Sequence, residues 1–255
     1  MKCGCRKGPR RFKGISLCRI DVFASREREA SVIFRSKTIK LAPFNFFKIT
    51  VGLYRIVPGP PLDPGMQGEL LKELHRDYPS LTQIQGGVLF SDPPKGRTLI
   101  IDQARVESTE TSPRSASQAI ERIGEEFQKT LRIVAYPAPY RVKVEADGTI
   151  AAWEGLDPVA VLKHHAPPRP EWDSLGGVCR YACVRYLFST PDGGQRDVRI
   201  EPLFQAPDRF YTSAVSMPGA AASDTLDAAM ERARQEADLI ERLSNRLVAD
   251  IAGEN

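Results

Sequence analysis

The stretch that decides the fold is residues 196–219, RDVRIEPLFQAPDRFYTSAVSMPG, which leads into a helical segment ending near Ile251. Its alternation of apolar and polar residues is typical of strands, and a small-residue turn separates it from the helical segment. A shorter version of the same arrangement lies upstream, where residues 97–112, RTLIIDQARVESTETS, precede residues 113–134, PRSASQAIERIGEEFQKTLRIV. The chain therefore places strands before an amphipathic helix twice.

The last helical segment has apolar or small residues at alternating four- and three-residue spacing, which predicts a single helix with one buried stripe. These residues are Leu226, Met230, Ala233, Ala237, Ile240, Ser244, Leu247 and Ile251. Ser223 or Asp224 is the expected N-cap, and Gly253 is the expected stop. The upstream helix is predicted to start at Ser112-Pro113, because a hydroxyl cap before a proline suits a first turn.

The strands upstream of each helix are expected to pair through short turns. The turn sequences are Pro93–Gly96, Asp147-Gly148 and Pro191–Gly194, and Asp-Gly is the dipeptide that tight hairpins favour. We predict an α+β fold in which mainly antiparallel strands are packed by amphipathic helices. The echo between the two halves predicts two duplicated β-α-β-β-α units, at residues 44–136 and 137–255.

The charge of the chain is unevenly distributed. Residues 1–40 hold 12 Lys or Arg and 3 Asp or Glu, whereas the remaining residues hold 24 and 29, so the body is mildly acidic. Residues 1–42 also lack hydrophobic periodicity, and we interpret them as a disordered or mis-assigned basic extension. The alternative is a basic arm that contacts nucleic acid through Lys7, Arg10, Arg11 and Lys13.

Composition excludes several classes of protein. No apolar run approaches the roughly 20 residues of a membrane-spanning helix, and no apolar secretory core follows the basic N-terminus, so we expect a cytoplasmic protein without membrane contact. Cys179 and Cys183 lie four apart in a predicted strand, about 13 Å from each other, and are expected to be small core residues. Cys3, Cys5 and Cys18 lack a local fourth zinc ligand, so no metal is predicted.

No catalytic or cofactor motif is present. GxSxG, GxGxxG and GxxxxGK[ST] do not occur, so we predict no catalytic residue and no cofactor. The segment Pro93–Arg97 could meet a phosphate, but a solvated hairpin tip is the favoured interpretation. His164 and His165 are neighbours on a helix, about 100° apart, and would not converge on one metal.

Charged side chains elsewhere are expected on solvated faces. Asp102, Glu107 and Glu110 lie near one predicted strand and Glu201 lies on its counterpart, where half-exposed strands usually carry their polar residues. The outer side of the 113–134 helix holds further charges, which we interpret in the same way. They are Arg114, Glu121, Arg122, Glu125 and Lys129.

The order of four segments resembles a sporadically distributed, uncharacterised bacterial family of proteins of about this length. The segments are LHRDYPSL, GRTLIIDQARVEST, RDVRIEPLFQAPDRFY and LDAAMERARQEADLIERLSNRLV. The resemblance covers roughly residues 44–251 and implies paired strand-and-helix units. It implies no catalytic residue.

Three functions remain open from the sequence. The first is a non-enzymatic binding or assembly protein, a partner or a second copy contacting exposed strand edges or the C-terminal helix at Ile240, Leu243, Leu247 and Ile251. The second is association with nucleic acid through the N-terminal arm. The third is a small-ligand binder or enzyme with a cleft between the sheet and the C-terminal helix.

Overall fold

The computed structural model describes residues 43–134, 136–167 and 181–253. These residues form a single nine-stranded antiparallel sheet and four α-helices, so the predicted α+β class is confirmed. The strands are β1 Asn45–Tyr54, β2 Ser80–Ile84, β3 Gly87–Asp92, β4 Arg97–Ile101, β5 Arg105–Thr111, β6 Arg141–Ala151, β7 Val184–Ser189, β8 Gln195–Pro202 and β9 Arg209–Met217. The helices are α1 Pro64–Leu74, α2 Ala116–Val134, α3 Pro158–His165 and α4 Leu226–Ile251.

The strand order across the sheet is β2-β3-β4-β5-β1-β6-β9-β8-β7. The two longest strands, β1 and β6, pair with each other at the centre, with Val51 opposite Val144 and Leu53 opposite Val142. The strands on both sides of residue 136 therefore belong to one continuous sheet. Four strands lie between α1 and α2, and three lie between α3 and α4, which is more than the predicted β-α-β-β-α pattern contains.

Alternation along the strands separates two faces of the sheet. The helix face carries the core, including Ile49, Val51 and Leu53, each fully buried beneath the helices. The opposite face, which we call the open face, carries the alternate residues, such as Lys48 and Glu145.

The predicted long helix α4 is confirmed, and its small residues have a clear role. Ala233 and Ala237 are fully buried, and the helix packs over β6 and β9. Small side chains at this position let the helix backbone approach the sheet closely. Thr225, and not Ser223 or Asp224, is the N-cap, because its hydroxyl accepts a hydrogen bond from the Ala228 N–H at 3.1 Å.

The hairpin predicted at Asp147-Gly148 is wrong, since β6 runs straight through both residues. Glycine is needed there for space: a Cβ on Gly148 would lie 2.2 Å from the Phe44 ring. The hairpins at Pro93–Gly96 and Pro191–Gly194 are confirmed, linking β3 to β4 and β7 to β8. Cys183 is exposed, so its predicted place in the core is also wrong, while Cys179 lies outside the described residues.

A polar contact of the same kind joins each of the two helices that end the halves, α2 and α4, to the sheet. In both halves, an arginine of the penultimate strand and a serine of the last strand reach a glutamate of the following helix. The two sets are Arg97, Ser108 and Glu126, and Arg196, Ser216 and Glu236. Both serine hydroxyls donate to their glutamate at 2.8 Å.

Candidate functional site

The centre of the open face holds a ladder of alternating charges. The Lys48 ammonium lies 2.5 Å from Glu145 and 3.2 Å from Asp147, and the Lys143 ammonium lies 3.4 Å from Glu107 and 3.3 Å from Glu145. Glu107 is only 8% exposed, so the expectation that this strand carboxylate would be solvated is wrong. Cross-strand pairing explains its burial, because β5, β1 and β6 bring these side chains side by side.

The charged side chains of this ladder pair with one another. Burial works against the charged form of Lys143, but the nearby carboxylates of Glu107 and Glu145 outweigh it and raise the pKa of the ammonium. Burial likewise works to raise the pKa of Glu145, yet the two lysines lower it. Each of these side chains has an oppositely charged partner within the described chain. We therefore assign the ladder to stabilisation of the sheet.

A second polar cluster, on the other side of the sheet, has a different balance. Described residues line a cavity of about 540 Å³ at the end of β5, next to the turn that precedes β4 and the first two turns of α2. They are Lys95, Glu110, Ser112, Arg114, Gln118 and Arg122. We call this the cation-lined cavity, because three cationic side chains face one carboxylate.

The backbone between β5 and α2 shapes this cavity. Ser112 has a φ of +53°, in the left-handed region that non-glycine residues rarely adopt, and its N–H donates to the Phe47 carbonyl at 2.7 Å. The chain turns at that point, so α2 begins at Ala116 and not directly after the predicted Ser112-Pro113 start. Ser115 accepts a hydrogen bond from the Gln118 N–H at 3.3 Å and acts as the cap. The positive end of the α2 dipole therefore lies beside the cavity.

The three cations differ in how far they are neutralised. Lys95 lies 3.1 Å from Asp92, and Arg122 forms an ion pair with Glu110. Arg114 is exposed and forms no ion pair with a described carboxylate. Among the residues that line this cavity, Glu110 has the least exposure, at 9%. It lies on the helix face, so the expectation that it would be solvated is wrong too.

Two neighbouring cavities have more acidic linings. One of about 350 Å³ lies between the start of β1, residues 113–117 and α4, and Asp238 and Glu241 line it together with Arg114. Another of about 320 Å³ lies between α2 and α4, with Glu121, Glu125 and Asp227 in its lining. Excess positive charge in the lining thus distinguishes the cavity that contains Lys95 and Arg122 from these two neighbours.

The residues predicted to bind a partner lie mostly inside the molecule. Ile240, Leu247 and Ile251 are 1%, 9% and 3% exposed, and Leu243 is half-buried against the core. In this conformation the chain itself covers three of the four side chains. Partner binding at these positions stays a prediction. Lys7, Arg10, Arg11 and Lys13 lie outside the described residues.

The sequence patterns missed the cation-lined cavity as a site. The Pro93–Arg97 turn was interpreted as a solvated hairpin tip in preference to a phosphate contact, and Arg114 and Arg122 were interpreted as ordinary solvated charges. The signal that connects them is the β4–β5 register, which pairs Arg97 with Glu110 and brings the turn to the start of α2.

The chain matches no family model, and no curated protein matches it either. Within the described residues, no group of three or more histidine, cysteine, aspartate or glutamate side chains could hold a metal ion. No helix in the described part of the chain is long and apolar enough to cross a membrane.

Proposed function

We propose that this protein binds a small oxyanion, with phosphate as the simplest representative, in the cation-lined cavity. The observation that carries the proposal is the imbalance of charge there, where Lys95, Arg114 and Arg122 face the single carboxylate of Glu110. Because Lys95 pairs with Asp92 and Arg122 pairs with Glu110, Arg114 keeps a positive charge that a bound anion would neutralise. The cavity volume of about 540 Å³ suits a small ligand.

The geometry of the lining supports an oxyanion over other anions. Guanidinium groups donate two parallel hydrogen bonds to phosphate or carboxylate oxygens, and Arg114 forms no ion pair with Asp238 or Glu241, which line the neighbouring cavity with it. The N-terminus of the 19-residue helix α2 adds partial positive charge at the same place. The ion-pair ladder on the open face offers no comparable excess.

Isothermal titration calorimetry of the full chain with inorganic phosphate, at constant ionic strength set by chloride, tests the proposal. Arg114→Gln should weaken binding about fivefold to twentyfold, the loss of one charged hydrogen bond near solvent. Arg76→Gln is the matched control, because Arg76 is also exposed and lies outside the cavity. Absence of phosphate binding at millimolar concentration, or equal weakening by both variants, would contradict the proposal.

The two sets of arginine, serine and glutamate also support an internal duplication, which we propose for residues 44–136 and 137–255. In both halves the first strand lies at the centre of the sheet, and the last helix follows the strand that carries the serine. Self-association, a cytoplasmic location, nucleic-acid contact through residues 1–42 and membership of the bacterial family stay predictions.

A further inference from the structure

We infer that two copies of this chain associate through β7, the strand at one edge of the sheet, so that their two sheets join into one. The inference does not rest on the proposed function. Strand β7 runs from Val184 to Ser189, and its one neighbour in the sheet of described residues is β8. An edge strand presents unpaired N–H and C=O groups that can bind a strand of another chain.

The hydrogen bonds of the β7–β8 hairpin show which backbone groups of β7 are free. The Thr190 N–H donates to the Gly194 carbonyl at 2.9 Å, so these two residues form a hydrogen-bonded pair. Hydrogen-bonded and non-hydrogen-bonded pairs alternate along an antiparallel ladder. The N–H and C=O groups of Arg185, Leu187 and Ser189 therefore point away from β8, where no described residue pairs with them.

The side chains of β7 do not protect this edge. The strand contains no proline, lysine or β-bulge, which are common protections of edge strands. Arg185 donates to the Asp197 carboxylate on β8 at 2.8 Å, so its guanidinium is held on the β8 side of the strand. Leu187 is 61% exposed, and Tyr186 and Phe188 are half-buried on the helix face. The edge therefore combines unpaired backbone groups with apolar side chains.

The strand at the opposite edge, β2, lacks this combination. Neither of its apolar side chains, Leu81 and Ile84, is exposed. Its Gln83 amide donates to the Gln67 side chain of α1 at 2.6 Å. Pairing through β7 is therefore favoured over pairing through β2.

The pattern along β7 fits a second copy of the chain because it is complementary to itself. A twofold axis through Leu187, perpendicular to the sheet, places Leu187 opposite the partner's Leu187 on the open face. The same axis places Tyr186 opposite the partner's Phe188 on the helix face, and Arg185 opposite the partner's Ser189. No like charges face each other, and the three outward residues pair through about six backbone hydrogen bonds.

The neighbouring registers are less favourable. An axis through Arg185 sets the two Arg185 side chains against each other, which is destabilising. An axis through Tyr186 sets Leu187 against the partner's Arg185 and leaves the backbone groups of Ser189 without a partner in β7. We therefore expect the register that is centred on Leu187.

Sedimentation velocity of the full chain, at concentrations from about 1 μM to about 200 μM, tests the inference. We expect a reversible dimer with a Kd on the order of 10 μM, because one short pair of strands buries little surface. Leu187→Asp places like charges opposite each other and should weaken the dimer at least about tenfold. Val57→Asp, at an exposed apolar site outside β7, is the matched control and should leave the dimer unchanged.

Disulfide crosslinking tests the register, in a chain whose five native cysteines are replaced by serine. Leu187→Cys should give a covalent dimer on oxidation, since the Cα atoms of two directly opposite residues lie about 5.5 Å apart. Arg185→Cys is the control, because the two Cα atoms at this position would lie about 13 Å apart, too far for a disulfide.

A chain that stays monomeric at the highest concentration overturns the inference and leaves the edge to a segment of another protein. A dimer that Leu187→Asp does not weaken, or that Val57→Asp weakens equally, also overturns it. The same holds if Leu187→Cys fails to crosslink or if Arg185→Cys crosslinks as efficiently. Dimerisation that is lost in Leu187→Asp, together with crosslinking confined to Leu187→Cys, supports the inference.

Discussion

Helices α2 and α4, which end the two halves of the chain, each carry a glutamate that is hydrogen-bonded to the sheet. The two carboxylates differ in how they pair with an arginine. Glu236 on α4 accepts two hydrogen bonds from the Arg196 guanidinium, at 2.9 and 3.0 Å. Glu126 on α2 has its arginine, Arg97, at 3.6 Å. Each glutamate also accepts a hydrogen bond from a serine hydroxyl at 2.8 Å, so the two differ in their arginine and in their burial, with 5% of the Glu126 side chain and 13% of the Glu236 side chain exposed.

Burial and pairing together decide the direction of each pKa shift. Burial works to raise the pKa of both carboxyls. For Glu126 it prevails over the Ser108 hydrogen bond and the charge of Arg97, which is shared with Asp92, so the pKa is raised. For Glu236 the hydrogen bonds and charge of Arg196 outweigh burial, so the pKa is lowered. The same residue types in matching elements thus have opposite electrostatic effects on stability.

The residue after each glutamate gives the largest expected difference between the halves. Phe127 and Ala237 are both fully buried, but α2 fills its space with a ring and α4 with a methyl group. Phe127→Ala should lower the free energy of unfolding by about 4 kcal/mol, since it removes the ring and leaves a cavity. Urea denaturation measures this. Phe47→Ala, at a site 51% exposed, is the control, and a loss below about 1 kcal/mol at Phe127 would contradict the assigned packing.

The next largest expected effect on stability is at Glu236, which accepts two hydrogen bonds from its arginine. Glu236→Gln should cost about 2 kcal/mol at neutral pH, because it weakens charged hydrogen bonds to a guanidinium that is mostly buried. The control is Glu231→Gln on the exposed side of the same helix. Chemical denaturation of both variants measures the difference. Equal costs for the two variants would show that Arg196 gains nothing from the charge of Glu236.

The N-caps offer a smaller contrast between the halves. Thr225→Ala should cost about 1 kcal/mol, because the Ala228 N–H loses its side-chain acceptor. Ser115→Ala on α2 should cost less, since the Ser115 hydroxyl is farther from the Gln118 N–H, at 3.3 Å. Thermal denaturation compares the two melting temperatures. The reverse order would show that hydrogen-bond distance does not rank these caps.

Local patterns were sufficient for the elements whose causes are local. The spacing from Leu226 to Ile251 predicted α4 within its observed bounds, because a buried stripe must repeat with the helical period. The hairpin predicted at Asp147-Gly148 was wrong because two different structural requirements can both place a glycine in the sequence. A tight turn and the close approach of Phe44 leave the same residue in the sequence.

The cation-lined cavity could not be predicted in this way. Lys95 lies in the turn before β4 whereas Arg114 and Arg122 lie in residues 113–134, and each taken alone looks like a solvated charge. What joins them is the pairing of β4 with β5, including the hydrogen bond from the Thr111 N–H to the Gly96 carbonyl at 2.9 Å. Register depends on contacts between distant residues, so a local pattern does not contain it.

Glu126 gives the smallest effect at neutral pH and the sharpest test of the comparison. Because its folded-state pKa is raised above the unfolded value of about 4.3, the folded protein binds the proton more tightly. Its contribution to stability is therefore complete below that pH and is lost as the pH rises through the folded-state pKa. Glu126→Gln removes this loss, so the variant should gain stability relative to the wild type as the pH rises, and differ from it by less than about 1 kcal/mol at neutral pH.

Glu236 should behave in the opposite way. Its lowered pKa contributes stability above about 4.3 that is lost as the pH falls through the folded-state value. Relative to the wild type, Glu236→Gln should therefore lose stability as the pH rises. Urea midpoints of both variants between pH 3.5 and 7.5 measure the two slopes. Slopes of the same sign would contradict the assignment, because they would show that differences in burial and in arginine pairing do not give the two glutamates opposite pKa shifts.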